Sequence, residues 1–111
     1  MTDTNGNITE NVKRVALGAD HSSYDSKELL KVYLSSLGYT IVDVGTYNSK
    51  EKVDYPDFAY AVSKKVSSGA CDRGIMLDGA GIGSSMVCNK VKGIRAALCW
   101  SKKTIINSRE H

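Results

Sequence analysis

An α/β fold on a parallel sheet is what this sequence predicts, and three observations predict it. Short apolar or β-branched runs (Val15-Ala16-Leu17, Thr40–Val44, Arg73–Leu77 and Ile94–Cys99) alternate with longer stretches of helical periodicity. The alternation recurs every 25–30 residues or so, the spacing of right-handed βαβ crossovers. The strand candidates are short and apolar enough to be buried on both faces.

In chain order, residues 1–11 are polar, rich in Thr and Asn, and read as a flexible N-terminal extension; residues 12–111 read as one domain. Lys13–Gly18 is the first strand, and Asp20-His21-Ser22-Ser23 follows as a loop. A helix is expected from Asp25 or Ser26. Its apolar positions Leu29, Leu30, Tyr33, Leu34 and Leu37 fall in two rows spaced by four, which predicts a buried face there. Gly38 suits the position just past its end. Thr40–Val44 is the second strand, and Thr46–Pro56 a polar loop carrying Tyr47, Asp54 and Tyr55. Asp57–Ser67 is the second helix, with Phe58, Val62 and Val66 spaced by four. Arg73–Leu77, Ser84–Val91 and Ile94–Cys99 read as strand, helix and fourth strand, and Ser101–Glu110 as a last helix with no strand to return to.

Composition narrows the function classes. A net charge of +3 with interspersed signs and no basic run gives no reason to expect nucleic acid. Cys71, Cys88 and Cys99 lack CxxC spacing, so neither a disulfide framework nor a metal site is expected, and two of the three sit in apolar segments as small core residues. No apolar run approaches the roughly 20 residues that span a membrane. The polar leader has no signal-peptide core, so a cytoplasmic, reducing setting is expected.

The richest stretch is Asp78-Gly79-Ala80-Gly81-Ile82-Gly83-Ser84, at the carboxyl end of the third strand. Open α/β sheets bind ligands at that edge. Glycines let the backbone approach a ligand closely, and a helix start offers unpaired N–H groups to a phosphate or a developing oxyanion. A carboxylate beside such a cradle suggests proton transfer on a phosphorylated or enolisable substrate. The same pattern also suits a tight turn in which Asp78 only caps the helix. Asp20-His21 follows the first strand and can open on the same edge, where His21 could hold a phosphate or help open a sugar ring, or be an ordinary loop histidine. Tyr55 could donate to a ligand or pack against the following helix. Asp43 and Tyr47 read as structural. The glycine spacing is neither GxGxxG nor a GxxxxGK[ST] loop, so dinucleotides and nucleoside triphosphates are poorly supported.

Six landmarks in order resemble the family of type B ribose 5-phosphate isomerases and galactose 6-phosphate isomerase subunits. They are Gly18-Ala19-Asp20-His21, Val42–Tyr47, Val53–Ala59, Gly79–Gly83, Asn89–Leu98 and Ser108–His111. The resemblance implies a three-layer α/β/α sandwich of the Rossmann type. It implies a homodimer, possibly a tetramer, with active sites shared between subunits. It also implies aldose–ketose isomerisation of a sugar phosphate through a cis-enediolate, with no metal or organic cofactor. Ribose 5-phosphate is the expected substrate. A hexose 6-phosphate, or binding without catalysis, are the alternatives. Carried over, Asp20 and His21 match the pair that engages substrate hydroxyls and phosphate, and Tyr55 a substrate-contacting tyrosine. Gly79, Ala80, Gly81, Ile82 and Gly83, with Ser84 beside them, match the loop whose N–H groups hold the enediolate oxygen. His111 matches the histidine that assists ring opening. Two residues depart from the pattern: Asp78 stands where the family has a cysteine base, and Ala80 stands where it has a threonine. The chain also stops before the family's final strand and helix. A carboxylate base is chemically reasonable for such a reaction, so Asp78 is the expected base.

Overall fold

The computed structural model describes residues 11–110. The proposed extension, apart from Asn11, and His111 lie outside them. Three parallel strands, β1 (Arg14–Ala19), β2 (Thr40–Asp43) and β3 (Arg73–Leu77), form a sheet in the order β2-β1-β3. Between them run a short 3-10 turn (His21–Ser23) with α1 (Tyr24–Ser36), and α2 (Tyr55–Ser67); α3 (Ile82–Asn89) and α4 (Lys102–Glu110) follow. Register sets Leu17 of β1 opposite Asp43 of β2 and Ala19 opposite Leu77 of β3, so all three strands end near one edge.

Side-chain alternation assigns the two faces. Ala16 and Val62 with Cys71 form the core under α2, and Val42, Val44 and Met76 pack against them. Small residues on the strands make this possible. A Cβ at either Gly18 or Gly74 would come within 2.6 Å of a Val62 methyl, so glycine at both positions lets α2 settle close to the sheet. Asp43 belongs to the opposite face, where it meets Lys27 of α1 at 2.5 Å. Helices on both faces make the three-layer α/β/α arrangement.

The buried side of α1 differs from expectation. Leu29, Tyr33 and Leu37 are 74%, 60% and 56% exposed, while Lys27 is fully buried. The inward row is Lys27, Leu30, Lys31 and Leu34, also spaced i, i+3, i+4, i+7. It is turned toward the sheet because its lysines find Asp43 there.

The expected fourth strand, Ile94–Cys99, is not a strand. A ladder with β3 needs free backbone groups, and Asn89 takes both of those on Ala96. Its Oδ1 accepts the Ala96 N–H at 2.9 Å, and its Nδ2 donates to the Ala96 carbonyl at 2.9 Å. Helix boundaries also move: α2 begins at Tyr55 and α3 at Ile82, so Tyr55, Gly83 and Ser84 lie in first helical turns. α4 opens with a reciprocal cap, Thr104 N–H to Ser101 Oγ and Ser101 N–H to Thr104 Oγ1. Cys71 and Cys88 are buried and Cys99 is exposed. No helix among the described residues is long and apolar enough to cross a membrane.

Candidate functional site

The carboxyl ends of β1 and β3 are stitched together by the Asp20 N–H, which donates to the Leu77 carbonyl at 3.2 Å. This sets Asp20-His21 beside Asp78. Asp20 Oδ1 accepts from Ser22 Oγ at 2.7 Å and from the Ser23 N–H at 3.1 Å, capping the 3-10 turn. Ser22 Oγ in turn lies 3.8 Å from where a Gly79 Cβ would stand, so the turn leans on the glycine loop.

Asp78 is the loop's own anion. Its Oδ1 accepts the N–H groups of Ala80, at 3.0 Å, and of Gly81, and its Oδ2 accepts the Ser84 hydroxyl. Gly81 holds φ +81° as the residue preceding α3 and offers no side-chain cap, so Asp78 does the capping. Two of the N–H groups expected to hold an enediolate oxygen are therefore occupied. The reason is local: an aspartate just ahead of a glycine turn reaches back-to-back N–H groups at a helix start, where the partial positive charge favours the nearest carboxylate. Ser84 is buried and Ile82 largely exposed.

Tyr55 comes to the same loop from α2. A Cβ at Gly83 would collide with the Tyr55 hydroxyl and ring, so glycine there is what admits the phenol. His21 is gripped from the β2–α2 loop, its Nδ1 lying 3.2 Å from the Val53 N–H and 3.3 Å from the Val53 carbonyl. Nδ1 can accept from that N–H or donate to that carbonyl, and either bond fixes the ring through Nδ1 and leaves Nε2 for a ligand. Asp20, His21, Tyr55, Asp78 and the glycine loop thus share one edge, while His111 is outside the described residues. A cavity of about 390 Å³ lies elsewhere, lined by Val12 and Arg73 at the amino ends of the strands and by Arg109. It contains none of the groups that meet around Asp78.

Sequence reasoning missed Ser22 and Lys27. Ser22 carried no signal beyond its loop. Lys27 had one: it continues the Leu30–Leu34 row toward the sheet. Beneath the site it forms a network with Glu28, Lys31 and Asp43. Burial acts to raise the Asp43 pKa, but hydrogen bonds from Lys27, Lys31 and the Gly45 amide outweigh it and hold the carboxyl below its ordinary value. Hydrogen bonds from Lys27 and Lys31 lower Glu28 likewise, and those to Asp43 and Glu28 raise Lys31.

Comparison with known proteins decides the family. The family model described as Ribose/Galactose Isomerase matches residues 15–111. The chain belongs to that family. It is 42% identical over 97 residues to the galactose-6-phosphate isomerase subunit LacB of Clostridium acetobutylicum, covering 87% of this chain and 56% of that one. It is 37% identical over 100 residues to ribose-5-phosphate isomerase B of Escherichia coli, covering 90% and 66%. The structure of Clostridium thermocellum ribose-5-phosphate isomerase B superposes with a TM-score of 0.85 at 44% identity, covering 88% of this chain and 66% of that one. The chain therefore spans between 56% and 66% of the length of these ribose/galactose isomerase relatives. The α/β fold expected from the sequence matches that Clostridium thermocellum structure.

Proposed function

We propose that this chain carries the proton-transfer site of a cytoplasmic sugar-phosphate isomerase that interconverts an aldose and a ketose phosphate, most simply ribose 5-phosphate and ribulose 5-phosphate. The supporting observation is the meeting of Asp20-His21, Tyr55 and Asp78 around one glycine loop at the sheet's carboxyl edge. In this reading His21, through Nε2, and Asp20 engage the phosphate and ring hydroxyls, and His111 assists ring opening. Asp78 takes the proton from C2 as the C1–C2 double bond forms and O1 receives the electron pair. The O2 proton then passes to O1, the carbonyl forms at C2, and the carbon-bound proton returns at C1. The Ala80 and Gly81 N–H groups change partner during the step. A developing enediolate oxygen takes them from Asp78, and the carboxylate's lone pairs are freed for the proton. Exposed Met86 and Trp100 suit a homodimer in which copies share sites, a state that sedimentation of the intact protein checks.

The test is exchange. Ribose 5-phosphate in deuterated water should acquire deuterium at C2 with the protein present, and Asp78→Asn should abolish exchange while binding persists. Exchange at the parent's rate in Asp78→Asn removes Asp78 from the chemistry. A second reading, binding without catalysis, is favoured by the three neutral donors that hold the Asp78 carboxylate; ligand binding with no exchange above buffer would establish it. Parallel assays with a hexose 6-phosphate decide the substrate, which matters because a LacB subunit is among the relatives.

A further inference from the structure

Lys27 and Leu17 are the largest side chains fully buried among the described residues. A buried ammonium is tolerated only when paired, and well-packed apolar residues often serve stability as well or better. Stability alone therefore gives no reason for a lysine here. Its Nζ lies 2.5 Å from Asp43 Oδ2 and 3.1 Å from Glu28 Oε1, with the rings of Tyr24 and Tyr47 centred 5.4 and 5.8 Å away.

What the pair holds is more telling. The other oxygen of Asp43, Oδ1, accepts the Gly45 N–H at 2.9 Å, and the Tyr47 hydroxyl donates to the Asp43 carbonyl at 3.2 Å. Gly45 and Thr46 are in turn laced to Ala19: the Ala19 N–H donates to the Gly45 carbonyl, and the Thr46 N–H to the Ala19 carbonyl, both at 2.8 Å. Ala19 leads directly into Asp20-His21. The same loop, residues 44–54, ends at the Val53 amide that meets His21 Nδ1, and Tyr55 follows.

We propose that Lys27 is a positioning residue for the cleft: by neutralising Asp43 it pins the start of the 44–54 loop, and the pinned loop sets the tautomer of His21 and the seat of Tyr55. Lys27 acts through Asp43 and does not meet substrate. The proposal takes its ligand, a sugar phosphate, from the function proposed above, but its geometry can be tested without any ligand.

The experiment uses the full 111-residue chain and the variants Lys27→Met, Lys31→Met and Lys27→Met/Asp43→Asn, at temperatures where thermal melts show each to be folded. Without ligand, amide exchange at Gly45 and Val53 and the ring nitrogen shifts of His21 are read by NMR. With ribose 5-phosphate, affinity is read from the His21 signals. In Lys27→Met, protection at Gly45 and Val53 should fall at least tenfold, His21 should move toward the tautomer mixture of a free imidazole, and affinity should fall at least tenfold. The double variant keeps an acceptor for Gly45 with no charge to neutralise, so each measure should return to within threefold of the parent. Lys31→Met, reaching the same carboxylate from a part-exposed position, should also stay within threefold. A folded Lys27→Met with the parent's protection, tautomer and affinity overturns the proposal, as does a double variant that fails to recover. Should Lys27→Met not fold, Lys27→Met/Asp43→Leu decides: it fills the space but gives Gly45 no acceptor, and parent-like protection there overturns the proposal. If the parent ignores ribose 5-phosphate, the substrate reading fails while the ligand-free measurements still decide the role of Lys27.

Discussion

Asp43 and Asp78 are the same residue in nearly the same local setting, used in opposite ways. Each stands at the carboxyl end of a parallel strand, and each accepts the N–H two residues on, from Gly45 at 2.9 Å and from Ala80 at 3.0 Å. Asp43 also meets two ammonium groups, Lys27 and Lys31. Among the described residues Asp78 meets only neutral donors, two amides and a hydroxyl. A carboxylate neutralised by cations is a fixed structural anchor. One held by exchangeable dipoles keeps its charge available and can trade its donors to a ligand. The tertiary partner, rather than the turn, separates scaffold from candidate chemistry.

Four substitutions break or sharpen that contrast. The largest effect belongs to Asp78→Asn, where losing a general base should cut C2 exchange by about 10²–10⁴-fold. Because asparagine still accepts the turn N–H groups, urea unfolding should register a stability change of only about 1 kcal/mol. Asp43→Asn should invert this pattern, destabilising the fold by about 3 kcal/mol because Lys27 is left buried with a weakened partner. A stability loss in Asp43→Asn no larger than that in Asp78→Asn would erase the distinction. Third, Gly83→Ala should cost about 1–3 kcal/mol in a thermal or urea melt by driving a methyl into Tyr55. Tyr55→Leu in the same chain should recover most of that loss without restoring ligand affinity. The smallest effect is Lys31→Met, about 1 kcal/mol or less for a part-exposed pair.

The contrast extends to pH. The folded pKa of Asp43 lies below its ordinary carboxylate value. The stabilisation is therefore complete above about pH 4, where the unfolded carboxyl is ionised, and is lost as pH falls through the lower folded value. Urea midpoints measured down the acid limb should fall less steeply in Asp43→Asn than in the parent. Equal slopes would detach Asp43 from acid sensitivity.

Much of the molecule was legible in the sequence because it depends on local pattern. The alternation of apolar runs with helical periodicity located all three strands to within a residue or so, and the third without error. The Asp-Gly-x-Gly run at a strand end marked the loop, and the six landmarks marked the family. Three things were settled only in three dimensions. Which row of α1 faces inward depended on Asp43 presenting a carboxylate to Lys27, and two overlapping rows of apolar residues could not reveal that. Whether Ile94–Cys99 pairs as a strand depended on Asn89 taking the backbone groups of Ala96, a contact between residues seven apart that strand propensity ignores. The role of Asp78 also lay open, since a helix cap and a base have the same sequence. In the structure Asp78 is a cap whose partners are all neutral. Sequence by itself determined three strands, the helices that alternate with them and their order, and pointed to the edge of the candidate site, because these follow from periodicity and turn residues. The tertiary structure alone decided which aspartate is locked by charge and which is held by neutral donors, because the lysines that meet Asp43 come from a separate helix while, among the described residues, Asp78 keeps only the donors of its own turn.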